Sequence, residues 1–321
     1  MKQLAIIGAG QLGSRHLQGL AKLAVNSEIT VVDPFAASLE LARQRFGEMP
    51  TNPAISNVRY VESIDTLPSH IDYAIVATTA DVRLDVLRKL LANRSVANIL
   101  LEKVLFQHVD EYAQAQAMLD AAGSRAWVNC PRRIFSIYRD LRTFFADDHF
   151  LSFSTAGGNW GLGCNSVHFI DLFAQFAGAA PEQMSNTGLD TQLIPSKRKN
   201  FKEFGGTLRG RIGSAQVEIT SFVGSSARLL TTIRAEQRSC VIDEAAGKAF
   251  LFDGSAWQEK AFKVPFLSEL GAKVATEILS NGDCGLTPFA ESVGYHIPLL
   301  RCLGAHAATI DGSDPSFCPV T

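Results

Sequence analysis

The chain has 321 residues, 46% of them hydrophobic and 19% charged, and a formal net charge of −2. That length accommodates two domains with substantial cores, and the near-balance of charge excludes the electrostatic footprint of a nucleic-acid or anionic-membrane binder. No window approaches the run of roughly 20 apolar residues that crosses a bilayer, and the first residues, MKQLAIIGAG, are too short and wrongly flanked for a secretory leader. The six cysteines lie far apart with no metal-ligand spacing, which reads as reduced thiols in a cytoplasmic protein that holds no metal.

An apolar strand over Leu4–Ile7 runs directly into Gly8, Gly10 and Gly13, and a helical pattern over Leu12–Ala24 follows without a linker. Each glycine has its own task. Gly8 allows the turn, Gly10 lets a pyrophosphate approach the backbone, and Gly13 lets helix and strand pack closely. The first helical N–H groups, at Gln11, Leu12 and Gly13, then favour a bound anion. Strand-like runs continue at Ile29–Asp33, Val58–Val61, Tyr73–Thr78, Asn98–Glu102 and Arg125–Val128. Helical patterns separate them at Ala36–Phe46, Val82–Leu91 and Val109–Ala122, and Gly47–Asn57 reads as a surface loop. Such alternation predicts a doubly wound parallel sheet over residues 1–128.

Asp33 ends the second strand twenty positions after Gly13. A carboxylate there accepts hydrogen bonds from the adenosine ribose hydroxyls and repels a 2′-phosphate, so NAD is expected in preference to NADP. Arg43 and Arg45 lie a helix away. Thr78, Glu102 and Lys103 stand at C-terminal strand ends, where an open parallel sheet binds ligands. The Lys103 ammonium can hydrogen-bond a reacting hydroxyl or carbonyl.

Beyond residue 128 the rhythm changes. An amphipathic stretch at Ile137–Phe145 precedes a run at Phe150–Ala156, the glycine-rich loop Gly157–Gly163, and a helix over Ser166–Phe176 entered from Asn165 or Ser166. Strand-like runs at Gly206–Ile212, Ala215–Phe222, Leu229–Ala235, Ser239–Asp243 and Lys248–Phe252 predict an antiparallel meander, and helices follow at Phe266–Leu279 and Phe289–Ala308. The expected architecture is an α/β dinucleotide domain (1–128) followed by an α+β substrate domain (129–321) on an open, mainly antiparallel sheet, with C-terminal helices able to pack back toward the first domain.

On this second segment His168 is three residues from Asp171, one helical face apart, so the acid can orient a proton-transferring imidazole. Trp160 is expected to cover a sugar or nicotinamide face. Arg132 and Arg133 suit bidentate anion contacts, and Lys197 heads a basic loop able to gather an anionic substrate. Asn129 and Asn165 complete the expected substrate-binding set.

AIIGAGQLG, the strand ending at Thr78, LEKV at Leu101–Val104, NCPRR at Asn129–Arg133 and VHFID at Val167–Asp171 together resemble the glucose-fructose oxidoreductase / inositol dehydrogenase (Gfo/Idh/MocA) family over nearly the whole chain. The resemblance implies that Glu102 and Lys103 open a Glu-Lys-Pro-type turn carrying a catalytic lysine, and that His168 and Asp171 form a His-x-x-Asp acid/base step. Val104 replaces the family's usual proline, Cys164 its common active-site aspartate, and Arg83 a frequent histidine. The resemblance also implies pairing of the open sheets into a homodimer or homotetramer. The expected activity is NAD-dependent hydride transfer on a sugar or sugar derivative, phosphorylated or nucleotide-linked forms included. The alternatives are an enzyme of the same fold that recycles its NAD in an isomerisation, epimerisation or elimination, and a non-catalytic dinucleotide- or sugar-binding regulator.

Overall fold

Short apolar runs buried on both faces become the central strands of a parallel sheet, because helices cover each side of it. The computed structural model describes residues 1–321. Its elements follow in order: β1 (Lys2–Ile7), α1 (Gln11–Leu20), β2 (Ser27–Val32), α2 (Ala36–Gly47), β3 (Ile55–Val61), β4 (His70–Ile71), β5 (Tyr73–Val76), α3 (Ala80–Asn93), β6 (Ser95–Val96), β7 (Asn98–Leu101), α4 (Asp110–Ala122) and β8 (Arg125–Val128). Next come α5 (Ser136–Phe144), β9 (Phe150–Gly158), α6 (Leu162–Ala177), β10 (Pro181–Pro195), β11 (Lys202–Ile212), β12 (Ala215–Phe222), β13 (Leu230–Ala235), β14 (Ser239–Asp243), β15 (Lys248–Phe252), β16 (Trp257–Ala261), α7 (Leu267–Asn281), β17 (Thr287–Pro288) and α8 (Phe289–Asp311).

The chain divides into two compact units. Unit 1 comprises residues 1–106, 110–129 and 265–289, and unit 2 comprises 107–109, 130–264 and 290–321. Unit 1 holds a seven-stranded sheet in the order β17-β8-β7-β5-β1-β2-β3, parallel except for β17 against β8. Strand order reverses between β1 and β5, so the ligand crevice of this doubly wound fold opens at their C-terminal ends. The segment 265–289, expected in the second domain, returns to unit 1. There α7 crosses α1 with Gly19 against Gly271: a Cβ on Gly19 would stand 3.1 Å from the Gly271 Cα, tighter than an ordinary van der Waals contact.

Unit 2 holds an eight-stranded sheet, β10-β11-β12-β9-β13-β14-β15-β16. The expected meander is corrected at its centre. β9 lies between β12 and β13 and pairs with β12 in parallel, from Gln216 opposite Ser152 to Phe222 opposite Gly158. All other pairs are antiparallel. Two edge strands carried no apolar alternation to read: β10 is mostly polar and irregular in register, and every residue of β16 is exposed. Covering the inner face, α6 is buried along most of its length and packs on β9, β11 and β12.

Candidate active site

The register of unit 1 brings the first group of candidates onto one edge. Ile7 pairs with both Val32 and Val76, and Val76 pairs with Leu101. The next residue on each strand is therefore Gly8, Asp33, Ala77 or Glu102. Backbone bonds from Gly8 N to Val32 O (2.8 Å), Ala77 N to Ile7 O (2.8 Å), Glu102 N to Val76 O (3.1 Å) and Asn129 N to Leu101 O (2.9 Å) carry the ladder one step further.

This edge fits a dinucleotide. Gly8 has φ +92°, and a Cβ there would lie 3.0 Å from Thr78 N. At Gly13 a Cβ would come within 1.7 Å of Gly8 O, whereas at Gly10 it would meet nothing within 4 Å. Two glycines thus close the turn on itself, and the third leaves open space. No side chain caps α1, and the buried Thr78 hydroxyl has no hydrogen-bond partner. Asp33 is held ready by its neighbours: Oδ2 accepts from Ala9 N (2.7 Å) and Oδ1 from Phe35 N (2.9 Å). A carboxylate offers about four lone-pair sites, so two remain for ribose hydroxyls. Of the nearby cations, Arg43 pairs with Glu40 and stacks on Tyr60. Arg45 lies nearer than sequence spacing suggests, donating to Gln11 Oε1 (2.7 Å) and Ser14 Oγ (2.6 Å).

Beside it, Glu102 is 3% exposed and bound by His16 Nε2 (2.7 Å) and Asn129 Nδ2 (2.6 Å). Burial pushes its carboxyl up. The hydrogen bond and charge of His16, the Lys103 ammonium and the Asn129 amide outweigh that and hold it at about 2. Asn129, expected to bind substrate, is thereby engaged with Glu102. His16 escaped the sequence reading, although its place one turn beyond Gly13 faces the sheet. Lys103 is half-buried, followed by a cis peptide to the buried Val104.

The second group lies in unit 2, and several of its members find partners within the chain. α6 starts at Leu162 rather than Ser166, from Gly161 at φ 76°. Cys164 and Asn165 consequently belong to its first turn, and Asn165 Nδ2 donates to Trp160 O (2.8 Å) instead of capping the helix. Glu203 of β11, another residue the sequence did not flag, accepts from Gly163 N (2.7 Å) and Cys164 N (3.4 Å). A carboxylate from a different strand therefore reaches the turn where Cys164 stands.

His168 is half-buried on α6. Asp171, wholly buried, accepts from Arg133 Nε (2.9 Å), and Arg133 also reaches Glu291 (3.4 Å). Asp171 thus forms an ion pair with Arg133, because a carboxylate without exposure needs a full opposite charge. Arg132 grips Glu244 with two bonds of 2.9 Å and lies 4.3 Å over the Phe169 ring, so its fork is filled from within. Trp160 donates to Thr220 O (2.8 Å) and packs edge-on against Phe169. Lys197 is exposed on the turn between β10 and β11. A cavity of about 300 Å³ is lined by Phe169, Thr231 and Glu244 among others, while a larger hollow of about 650 Å³ on the sheet contains no candidate residue. No group of three His, Cys, Asp or Glu side chains is arranged to hold a metal ion.

A parallel sheet with a glycine turn at its switch point, an acid at the end of β2 and an eight-stranded companion sheet defines an NAD(P)-binding oxidoreductase of Rossmann type. Residues 2–130 match the family model described as "Oxidoreductase family, NAD-binding Rossmann fold". Over this stretch, less than half of the chain, the sequence matches the NAD-binding domain of the Gfo/Idh/MocA family model.

Solved structures extend the likeness in fold to both units. An oxidoreductase from Agrobacterium radiobacter, in complex with NAD+, L-tartaric acid and magnesium, shares 13% identity at TM-score 0.74, covering 97% of each chain. UDP-N-acetylglucosamine 3-dehydrogenase from Acidithiobacillus ferrooxidans shares 16% at TM-score 0.70, covering 96% of this chain and 97% of that one. Biliverdin reductase from Synechocystis, with biliverdin and NADP+, shares 14% at TM-score 0.73, covering 97% and 99%. No curated protein matches the chain by sequence. No helix is long and apolar enough to cross a membrane.

Proposed function

We propose that the chain is an NAD-dependent dehydrogenase acting on a CH–OH group of a sugar or sugar derivative, phosphorylated and nucleotide-linked sugars included. The observation that carries this reading is the crevice edge of unit 1. There Lys103, the unpartnered Thr78 hydroxyl, the Gly8–Gly13 turn and Asp33 follow one another across adjacent strand ends. Gly8, Gly10, Gln11, Leu12, Gly13 and Thr78 would hold the pyrophosphate side, and Asp33 the adenosine ribose. Asp33 supports NAD over NADP, with Arg45 as the nearby cation that opposes this preference. When bound, the nicotinamide supplies the hydride acceptor or donor.

Lys103 is assigned to hold and polarise the reacting oxygen, and His168 to take or return its proton. Asp171, held by Arg133, is assigned to orient the histidine or to hold a substrate hydroxyl. Arg132 and Arg133 serve as supports, while Trp160, Asn165, Asn129 and Lys197 remain candidates for substrate contact. Exposed Leu230, Phe250 and Trp257 on the sheet of unit 2 support a homodimer or homotetramer through that face. The absence of any disulfide among the six cysteines supports a cytoplasmic location.

The test is turnover. The protein is incubated with NAD and a panel of free, phosphorylated and nucleotide-linked sugars while nicotinamide absorbance is followed. We expect Lys103→Ala and His168→Ala each to lower kcat by about 100-fold or more. A protein that neither binds NAD nor turns over any compound sinks the proposal, and intact biological activity in both variants would point to the regulator instead.

A further inference from the structure

Arg83 carries a charge into the interior of unit 1 at 1% exposure, and its guanidinium is spent on main-chain carbonyls. Nη1 donates to Val104 O and to Leu105 O (2.7 Å), and Nη2 donates to Thr78 O. These acceptors belong to two segments that the proposed function uses separately: the end of β5, where Thr78 faces the glycine turn, and the stretch directly after Lys103. On the other side of Lys103, the Glu102 carboxylate is tied to His16 and Asn129. The lysine is therefore a half-buried side chain on a short piece of backbone fastened before and after. Only a planar fork with five donors bridges carbonyls in such different directions, and a lysine ammonium at position 83 would reach them as a single point.

We propose that Arg83 is a positioning residue for Lys103, clamping the lysine's turn to the Thr78 strand end so that the ammonium keeps a fixed place relative to the cofactor crevice. The inference rests on the role given to Lys103 above. Its expected signature is a loss in kcat with cofactor binding preserved, since misplacement by a fraction of an ångström affects the reacting geometry more than the affinity.

Arg83→Lys and Arg83→Met are compared with wild type by NADH fluorescence titration, by amide hydrogen exchange over residues 103–106, and by kinetics on the panel compound that turns over. For Arg83→Lys we expect exchange over 103–106 to rise about tenfold, kcat to fall about tenfold, and KM and the NADH dissociation constant to stay within about threefold. In a Lys103→Ala background the same substitution lowers kcat no further, because its effect passes through the lysine. Should Arg83→Met fail to fold, Arg83→Lys carries the test. Unchanged exchange over 103–106, or losses in kcat that multiply in the double variant, overturns the clamp. A Lys103→Ala variant with wild-type kcat instead overturns the role of the lysine, and the exchange data then show separately whether Arg83 holds the turn.

Discussion

At the N-terminus of α1 the sequence GAGQLG leaves the first helical turn without a side-chain cap, and a Cβ at Gly10 would face open space. At the N-terminus of α6 a comparable stretch, GGNWGLG, meets the Glu203 carboxylate, which takes the N–H groups of Gly163 and Cys164. Both ends present unpaired donors and the positive end of a helix dipole, so both need a negative partner. α6 obtains one from its own chain. In α1 no side chain supplies one, and the proposed dinucleotide would answer at α1 the electrostatic demand that the buried cap answers at α6.

The largest expected effect comes from removing the closeness that makes the first turn. Gly13→Ala places a methyl 1.7 Å from Gly8 O, and backbone on both sides gives little room to relax. We expect a loss of roughly 3 kcal/mol or more in unfolding free energy, together with loss of NADH binding, measured by denaturant titration and fluorescence.

Next in size is the charge held beneath that turn. Glu102 at about 2, against 4.5 for an unconstrained glutamate, contributes stability that is fully present above the unfolded value and is lost as pH falls from about 5 toward 2. The shift corresponds to about 3 kcal/mol. Glu102→Gln should flatten stability against pH across that window, and an unchanged acid limb in the variant would place the titration elsewhere.

Glu203→Ala tests the other helix end. Uncapping α6 should cost about 1–2 kcal/mol while leaving the NADH dissociation constant unchanged; weakened binding would break the contrast between the two ends. The smallest change in stability, within about 1 kcal/mol, is expected for Gly10→Ala, whose methyl meets nothing in the protein yet occupies the approach of a pyrophosphate. Its NADH affinity should nevertheless fall by about tenfold or more, so isothermal titration separates a glycine needed by the fold from one needed by the ligand.

The alternation of apolar strands and helical patterns determined the first domain from the sequence, because parallel strands buried on both faces leave continuous hydrophobic runs. The glycine spacing and Asp33 were legible for a similar reason: both lie within one strand-turn-helix unit and its neighbour, where local geometry fixes what is near what. Edge strands β10 and β16 were not, since exposed strands lack the alternation that burial imposes. The parallel insertion of β9 was hidden too, because pairing partners 64 residues apart, as Ser152 and Gln216 are, leave no local trace.

Side-chain partners across such distances were decided by tertiary structure alone. Sequence spacing put Asp171 on the helical face of His168 but gave no sign of Arg133, which binds the carboxylate from 38 residues earlier. Arg132 read as an anion receptor until Glu244 filled its fork from 112 residues away. Arg83 read as a substitution in a helix, and its three carbonyl contacts exist only because β5 and the turn after β7 end side by side. Local periodicity thus determined which residues form strands, turns and helices. Which charges meet was settled by burial, which forces each ionic group in the interior to find a partner wherever the fold supplies one.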